Sequence, residues 1–357
     1  MAQVATDPVG GEGDLGLAPG GEPSRQIVGR SPWELFWRRF RQDRFALAGI
    51  VIIVLMTIVA LAAPLAANLV SHGPNQTFAR EFPEGALDAF GLPIGPNAQF
   101  WFGADTAGRD LFVRTLYGAQ TSLFVALLAT FISLVIGVTG GLLAGYYRGK
   151  VDTAVSRVID IVLAMPVLLL ALGLVAACGT QAGCLGGVIK PGRLLVAYVI
   201  GLFSWPYIAR IVRGQVLSLR EKEFVEAARS MGSRDGRIIF REVLPNVVAP
   251  IIVYTTLVIP NNILFEAALS FLGVGVPPTT PSWGRMLSEA STNFTFAWWM
   301  MVFPGLFLFL TTLAFNLVGD GLRDALDPRM SSSKRRKLGD AQEKERVEAM
   351  EIASPAG

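Results

Sequence analysis

The chain has 357 residues, of which 52% are hydrophobic and only 17% charged, and its formal net charge is +3. Apolar runs longer than the roughly 20 residues that cross a bilayer exclude an ordinary water-soluble domain. A surplus of three positive charges is too small to indicate a nucleic-acid partner, so the information lies in where Lys and Arg fall along the chain.

Residues 1–30 are rich in Gly and Pro and poor in large apolar side chains, the composition of a disordered tail. They lack the apolar core of a signal peptide. Ser31-Pro32-Trp33-Glu34 has the form of a helix start, with Ser as the cap, Pro at the first position and Glu at the third. Trp33, Phe36, Trp37 and Phe40 recur at helical spacing beside Arg38, Arg39, Arg41 and Arg44. This predicts an amphipathic helix over 31–45 lying against lipid at the inner membrane surface, although the same residues also read as the basic flank of the first span.

The expected fold class is all-α, a polytopic membrane protein with six transmembrane helices over 46–329. The spans fall at 46–69, within 115–147, at 154–178, at 194–211, at 247–269 and within 290–319. Pro166 predicts a bend in the third and Trp205-Pro206 a kink in the fourth. With both tails inside, 25 of the 31 Lys and Arg residues fall in inside segments. That bias sets the topology and puts 213–245 in the cytoplasm. Arg157 and Asp160, three apart at the start of the third span, are expected to pair.

The segment 223–245 is charged and lies between two long apolar segments, so it must leave the lipid. Glu226-Ala227-Ala228-Arg229 forms a small-residue helix whose backbone another surface can approach closely. Gly232 suits its C-terminus, because glycine accepts the left-handed conformation without penalty. A second amphipathic turn, Ile238-Ile239-Phe240, follows, and Leu244-Pro245 closes the unit and starts the next span. That is the shape of a docking element for a soluble partner.

Further candidates are weaker. Asp105, Gly108, Arg109 and Asp110, just before the second span, read either as a helix cap with an internal ion pair or as a contact for a partner outside the membrane. Asn261, Asn262 and Glu266 place two carboxamides and a carboxylate at membrane depth. Such groups are costly and face a bundle interior or a water path, so they read as packing or as the lining of a translocation path. Asn262 and Glu266, four apart, share a helix face. Cys178 and Cys184 read either as a disulfide in an oxidising compartment or as two free thiols. No His or further Cys joins them, so no metal is expected. The only histidine, His72, opens a polar loop with no partner evident in the sequence. There is no G-x-x-x-x-G-K-[ST], H-E-x-x-H or G-x-S-x-G, so no cofactor and no ATP hydrolysis are expected in this chain. The segment 330–357 is a solvated, charged tail whose Lys334-Arg335-Arg336-Lys337 cluster suits anionic lipid.

Glu226-Ala227-Ala228, Gly232 and Leu244-Pro245 resemble the E-A-A…G…L-P loop of permease subunits from bacterial ABC importers. The sequence departs from that pattern at Glu242, where an aliphatic residue is usual. Phe102-Gly103-Ala104-Asp105-Thr106-Ala107-Gly108-Arg109-Asp110, the stretch 269–275, Pro281-Ser282-Trp283-Gly284 and Gly319-Asp320-Gly321-Leu322-Arg323 with Asp327-Pro328-Arg329 resemble the dipeptide/oligopeptide branch, whose relatives also carry nickel. Together they cover 31–329. The resemblance implies the type I permease fold and the second, C-type, subunit of a permease pair. It also implies two cytoplasmic ATPase partners that bind ATP and Mg, an extracytoplasmic peptide-binding protein, and a bacterial inner-membrane location. An ion-coupled secondary transporter is the competing reading; such folds show internal repeats and several intramembrane charges, which are not evident here.

Overall fold

The computed structural model describes residues 32–80, 85–179, 183 and 189–326. The tails read over 1–30 and 330–357, and Cys184, lie outside the described residues. The described chain is helical: α1 Pro32–Phe40, α2 Arg44–Val70, α3 Leu111–Tyr147, α4 Gly149–Ala164, α5 Val167–Cys178, α6 Arg193–Leu219, α7 Glu223–Ser230, α8 Asp235–Arg237, a π-helical turn Ile238–Val243, α9 Leu244–Phe271, α10 Trp283–Ala290 and α11 Trp299–Leu326. Among the described residues there is no strand; the loop before α3 carries three isolated bridges. Five helices are long and apolar enough to cross a bilayer, and the pair α4–α5 makes a sixth if its two halves are one span.

Local chemistry sets the helix boundaries. Asp43 accepts from the Phe45 and Ala46 amides at 2.9 and 3.2 Å and caps α2. Asp110 does the same for α3 through Phe112 and Val113. These side chains satisfy amides that have no partner within the helix. The third span breaks at Met165-Pro166, with α4 and α5 meeting at 87°. The residue before a proline is driven out of the helical region, so the expected bend is a break.

Val51, Val54, Leu55, Ile58, Leu61, Leu65 and Leu69 form an exposed apolar stripe along α2. In water such a stripe would be an aggregation liability; here it is a lipid-facing surface. Lipid tails are as apolar as these side chains, so burial gives no drive for one span to pack on another, and close backbone approach takes over. Gly137, Gly141 and Gly145 on α3 provide it. A Cβ on Gly141 would sit 2.7 Å from Val212 Cβ and 2.8 Å from Ala209 O on α6, and one on Gly145 2.7 Å from Val216 Cβ. Gly201 on α6 returns the contact against Ile132, at 2.8 Å. The two spans therefore touch backbone to backbone.

Two expectations are corrected. Phe36 and Phe40 of α1 are buried with Leu322, Ala325 and Leu326 of α11, so these two rings pack on protein rather than facing lipid, while Trp37 stays exposed. Asp160 pairs with Arg210 of α6 at 2.9 Å, not with Arg157 three residues away. The last span starts at Trp299, inside the run expected to hold it, and a separate short helix, α10, precedes it.

Candidate functional site

The segment 223–245 folds against one end of the bundle, where α3 and α6 finish. Val225 and Ala228 of α7 are buried with Ile238, Ile239 and Val243 of the π turn, Leu142 and Tyr146 of α3, and Val212 and Val216 of α6. The opposite face of α7 is open: Phe224, Ala227 and Met231 are exposed, Met231 at 79%. These three recur at i, i+3 and i+7 and so form one apolar stripe. Glu226 and Arg229 flank it and are exposed. Of the two alanines expected to admit a partner, only Ala227 is exposed; Ala228 is spent on packing inward.

Gly232 ends α7 at φ +75°. The Ser233 amide donates to Ala228 O at 3.1 Å and the Gly232 amide to Arg229 O at 2.9 Å, the paired bonds of a left-handed helix stop. The helical run is continuous from Asp235 to Phe271, and its regular α-helical part starts at Leu244-Pro245 as expected, with Pro245 in the first turn. Its ring would clash with the Arg241 carbonyl in a regular α-helix. The π turn just ahead relieves this, with Leu244 N bonding to Ile239 O five residues back. Leu244 is half-buried in the same core and Pro245 is exposed.

Two parts of this end were not evident in the sequence. The Tyr146 hydroxyl donates to Asp235 Oδ1 at 2.8 Å, and Arg220 donates to the Tyr146 carbonyl. Arg213 grips Asp152 of α4 through Nε and Nη2, and Arg148 meets Glu221. Partners 61 to 89 residues apart leave no local pattern.

Midway along the bundle, Asn262 and Glu266 share the buried face of α9, while Asn261 is on the exposed side and donates to Leu257 O. Asn262 donates to Thr130 Oγ1 of α3 and accepts from Ser204 Oγ of α6, both at 2.9 Å. Glu266 has no exposed surface. It accepts from Ser122 of α3 at 2.9 Å and from Ser270 at 2.7 Å. Ser122 in turn accepts from the Trp283 amide at 3.4 Å, which ties in α10. In this conformation both side chains bind helix to helix rather than facing an open path.

At the end opposite α7, the 102–110 stretch turns inward. Asp105, Gly108 and Asp110 are buried, and only Thr106 and Ala107 project at the tip. The cap-and-ion-pair reading describes the geometry. Arg109 donates to Asp105 at 2.6 Å and to Glu289 of α10 at 2.9 Å. The Asp110 carboxylate that caps α3 also meets His72 Nδ1 at 2.6 Å, and the imidazole stacks on Phe100. Arg114, fully buried, was missed as part of this group. Its Nη1 donates to Pro74 O at 3.0 Å, while Nε and Nη2 lie 3.2 and 3.8 Å from Asp105 and Glu289, without hydrogen-bond alignment. Cys178 is buried and disulfide-bonded at the end of α5. Among the described residues, no group of three His, Cys, Asp or Glu side chains is arranged to hold a metal ion.

The described residues thus form a bundle of membrane-length helices with polar side chains tied between them and a short helix whose apolar stripe is exposed at one end. Comparison with known proteins carries this further. Residues 137–332 match the model of the binding-protein-dependent transport system inner membrane component, and 31–83 match the N-terminal TM domain of oligopeptide transport permease C. The dipeptide transport system permease protein DppC of Alkalihalophilus pseudofirmus is 40% identical over 310 residues, covering 87% of this chain and 94% of that one. The glutathione transport system permease protein GsiD of Escherichia coli O6:K15:H31 is 42% identical over 301 residues, covering 84% and 92%. A chain of the inward-facing MetNI methionine ABC transporter shares the fold with a TM-score of 0.50 at 20% identity, over 61% of this chain and 96% of that one. The chain belongs to the family of binding-protein-dependent transport system inner membrane components, as a C-type permease of the dipeptide/oligopeptide ABC branch with the type I permease fold.

Proposed function

We propose that this subunit forms half of the translocation path of an ATP-driven importer of di- or oligopeptides and has no ATPase activity of its own. Its partners are a homologous permease, two cytoplasmic ATPases that bind ATP and Mg, and an extracytoplasmic peptide-binding protein. Both termini lie in the cytoplasm, as the Lys and Arg bias requires. The names of the dipeptide and glutathione permeases support a peptide-type cargo. The observation that carries the mechanism is α7: one face is locked into the ends of α3 and α6 while the other presents Phe224, Ala227 and Met231 to the outside. A helix held this way docks an ATPase and passes its closure to the spans. Asn262 and Glu266 hold α3, α6 and α9 in register as the path opens and closes.

The test is reconstitution of the complex in vesicles. Uptake of a dipeptide should require ATP and be indifferent to an imposed ion gradient. Gly232→Glu should insert normally yet lose ATPase binding or coupling. Full transport by that variant, or uptake driven by the gradient alone, would reject the reading.

A further inference from the structure

The apolar contacts that seat α7, through Val225 and Ala228, are non-directional. A helix held only by them can roll or slide without moving the spans. Arg148 and Glu221 tie the end of α3 to the chain just before α7; on the far side of α7 the directional tie is Tyr146. Tyr146, second from the end of α3 and buried, reaches beneath α7 so that its hydroxyl donates to Asp235 Oδ1 at 2.8 Å. Two guanidinium groups lie over its ring, those of Arg229 of α7 and Arg220 at the end of α6, each 6.0 Å from the centroid. Arg220 also donates to the Tyr146 carbonyl. One side chain thus meets α3, the end of α6, the docking helix and the first residue of the helix that becomes α9. Hydrogen bonds have angular requirements that apolar contacts lack, and a bond to a carboxylate is among the stronger ones.

We propose that Tyr146 is a positioning residue for energy coupling: its hydroxyl, held by Asp235, fixes the α7–α8 corner to α3, so that displacement of the docking helix becomes displacement of that span. The proposal rests on α7 being the ATPase-docking helix. The roles separate cleanly: Val225 and Ala228 hold the docking helix on, and Tyr146 sets the direction in which it pulls.

The experiment uses the whole purified complex in proteoliposomes, with a photo-cross-linking residue at the exposed Met231. Two quantities are read: cross-linking to the ATPase, and the stimulation of ATP hydrolysis by the binding protein as purified from cells. Tyr146→Phe should retain the cross-link and keep basal hydrolysis within about twofold, while stimulation falls about tenfold, the scale of one hydrogen bond to a charged group. Asp235→Ala should do the same, and the double variant should be no worse than either single one. Asp235→Asn, which keeps an acceptor oxygen, should retain most of the stimulation; loss of bulk charge alone would not discriminate in this way. Full stimulation in Tyr146→Phe, or additive losses in the double variant, with the cross-link present, overturns the role of Tyr146 alone. Absence of the cross-link in the unmutated complex overturns the docking reading, and this proposal with it.

Discussion

Ser122 on α3 donates its hydroxyl to Glu266 on α9 at 2.9 Å, joining positions 144 residues apart. Ser122 also accepts from the Trp283 amide, and Ser270 fills the other carboxylate oxygen of Glu266. Each hydroxyl therefore has its proton committed to the carboxylate and a lone pair committed to a backbone N–H. Glu266→Gln puts an amide NH2 against a donor, so one hydroxyl loses its acceptor. The expected cost is about 1–3 kcal/mol, with Glu266→Ala worse because it also leaves a cavity. Thermal unfolding of the detergent-purified complex, together with uptake at matched expression, checks this. Wild-type stability in Glu266→Gln would show that the knot does not hold the helices, and wild-type uptake would remove any direct role in transport.

Arg114 gives the larger effect. It is fully buried between Asp105 and Glu289, and removing it leaves two carboxylates facing one another with Arg109 and Arg285 as their remaining cations. Arg114→Met is expected to lose about 3–5 kcal/mol, the scale for breaking one side of a buried pair. Arg114→Lys keeps the charge but not the fork that reaches Pro74 O and Asp105 together, and should fall between. Melting temperature and the yield of folded protein measure both.

Neighbouring glycines on α3 should differ sharply. A Cβ on Gly141 meets Val212 Cβ at 2.7 Å, whereas one on Gly140 has nothing closer than Trp205 at 3.6 Å. Gly141→Ala should force α3 and α6 apart at a cost of about 1–3 kcal/mol. Gly140→Ala should be neutral or stabilising, since alanine favours a helix over glycine by roughly 1 kcal/mol. Equal melting temperatures for the two variants would contradict the close seam.

At Gly232 the constraint is conformational, not steric. Nothing lies within 4 Å of a Cβ there, yet φ is +75°. Gly232→Ala should cost about 1–2 kcal/mol, the penalty for an L-residue in the left-handed region. Gly232→Asn should cost less, because Asn visits that region more readily. Loss of ATPase co-purification in the order Ala greater than Asn would follow. The reverse order would place the requirement in contact rather than in backbone.

The sequence made some of this legible and hid the rest for identifiable reasons. Apolar run length and the placement of Lys and Arg are local properties, so all six spans stood out, as did the helix ending at Gly232. Pro166 marked its own break because a proline acts on the residue beside it. What depends on a distant partner was hidden. Asp160 had Arg157 one turn before it, but Arg210, fifty residues on, took it. The aromatic face of α1 looked like a lipid anchor because sequence shows that a face is apolar, not which helix covers it. Asn262 and Glu266 were recognisable as costly polar groups, but whether such groups face water or hydroxyls is decided by Ser204, Thr130 and Ser122 on other spans.

The glycine seam has a mechanical consequence. Soft side chains between two helices would absorb a tilt by changing rotamers; where Gly137, Gly141 and Gly145 press against Ile208, Val212 and Val216 there is little left to compress. The two spans then rotate as a single stiff beam. With 37 residues, α3 is about 55 Å long. A rotation of about 5° imposed near Tyr146 would swing the Leu111 end, where Arg114 and Glu289 meet, through roughly 5 Å by simple geometry.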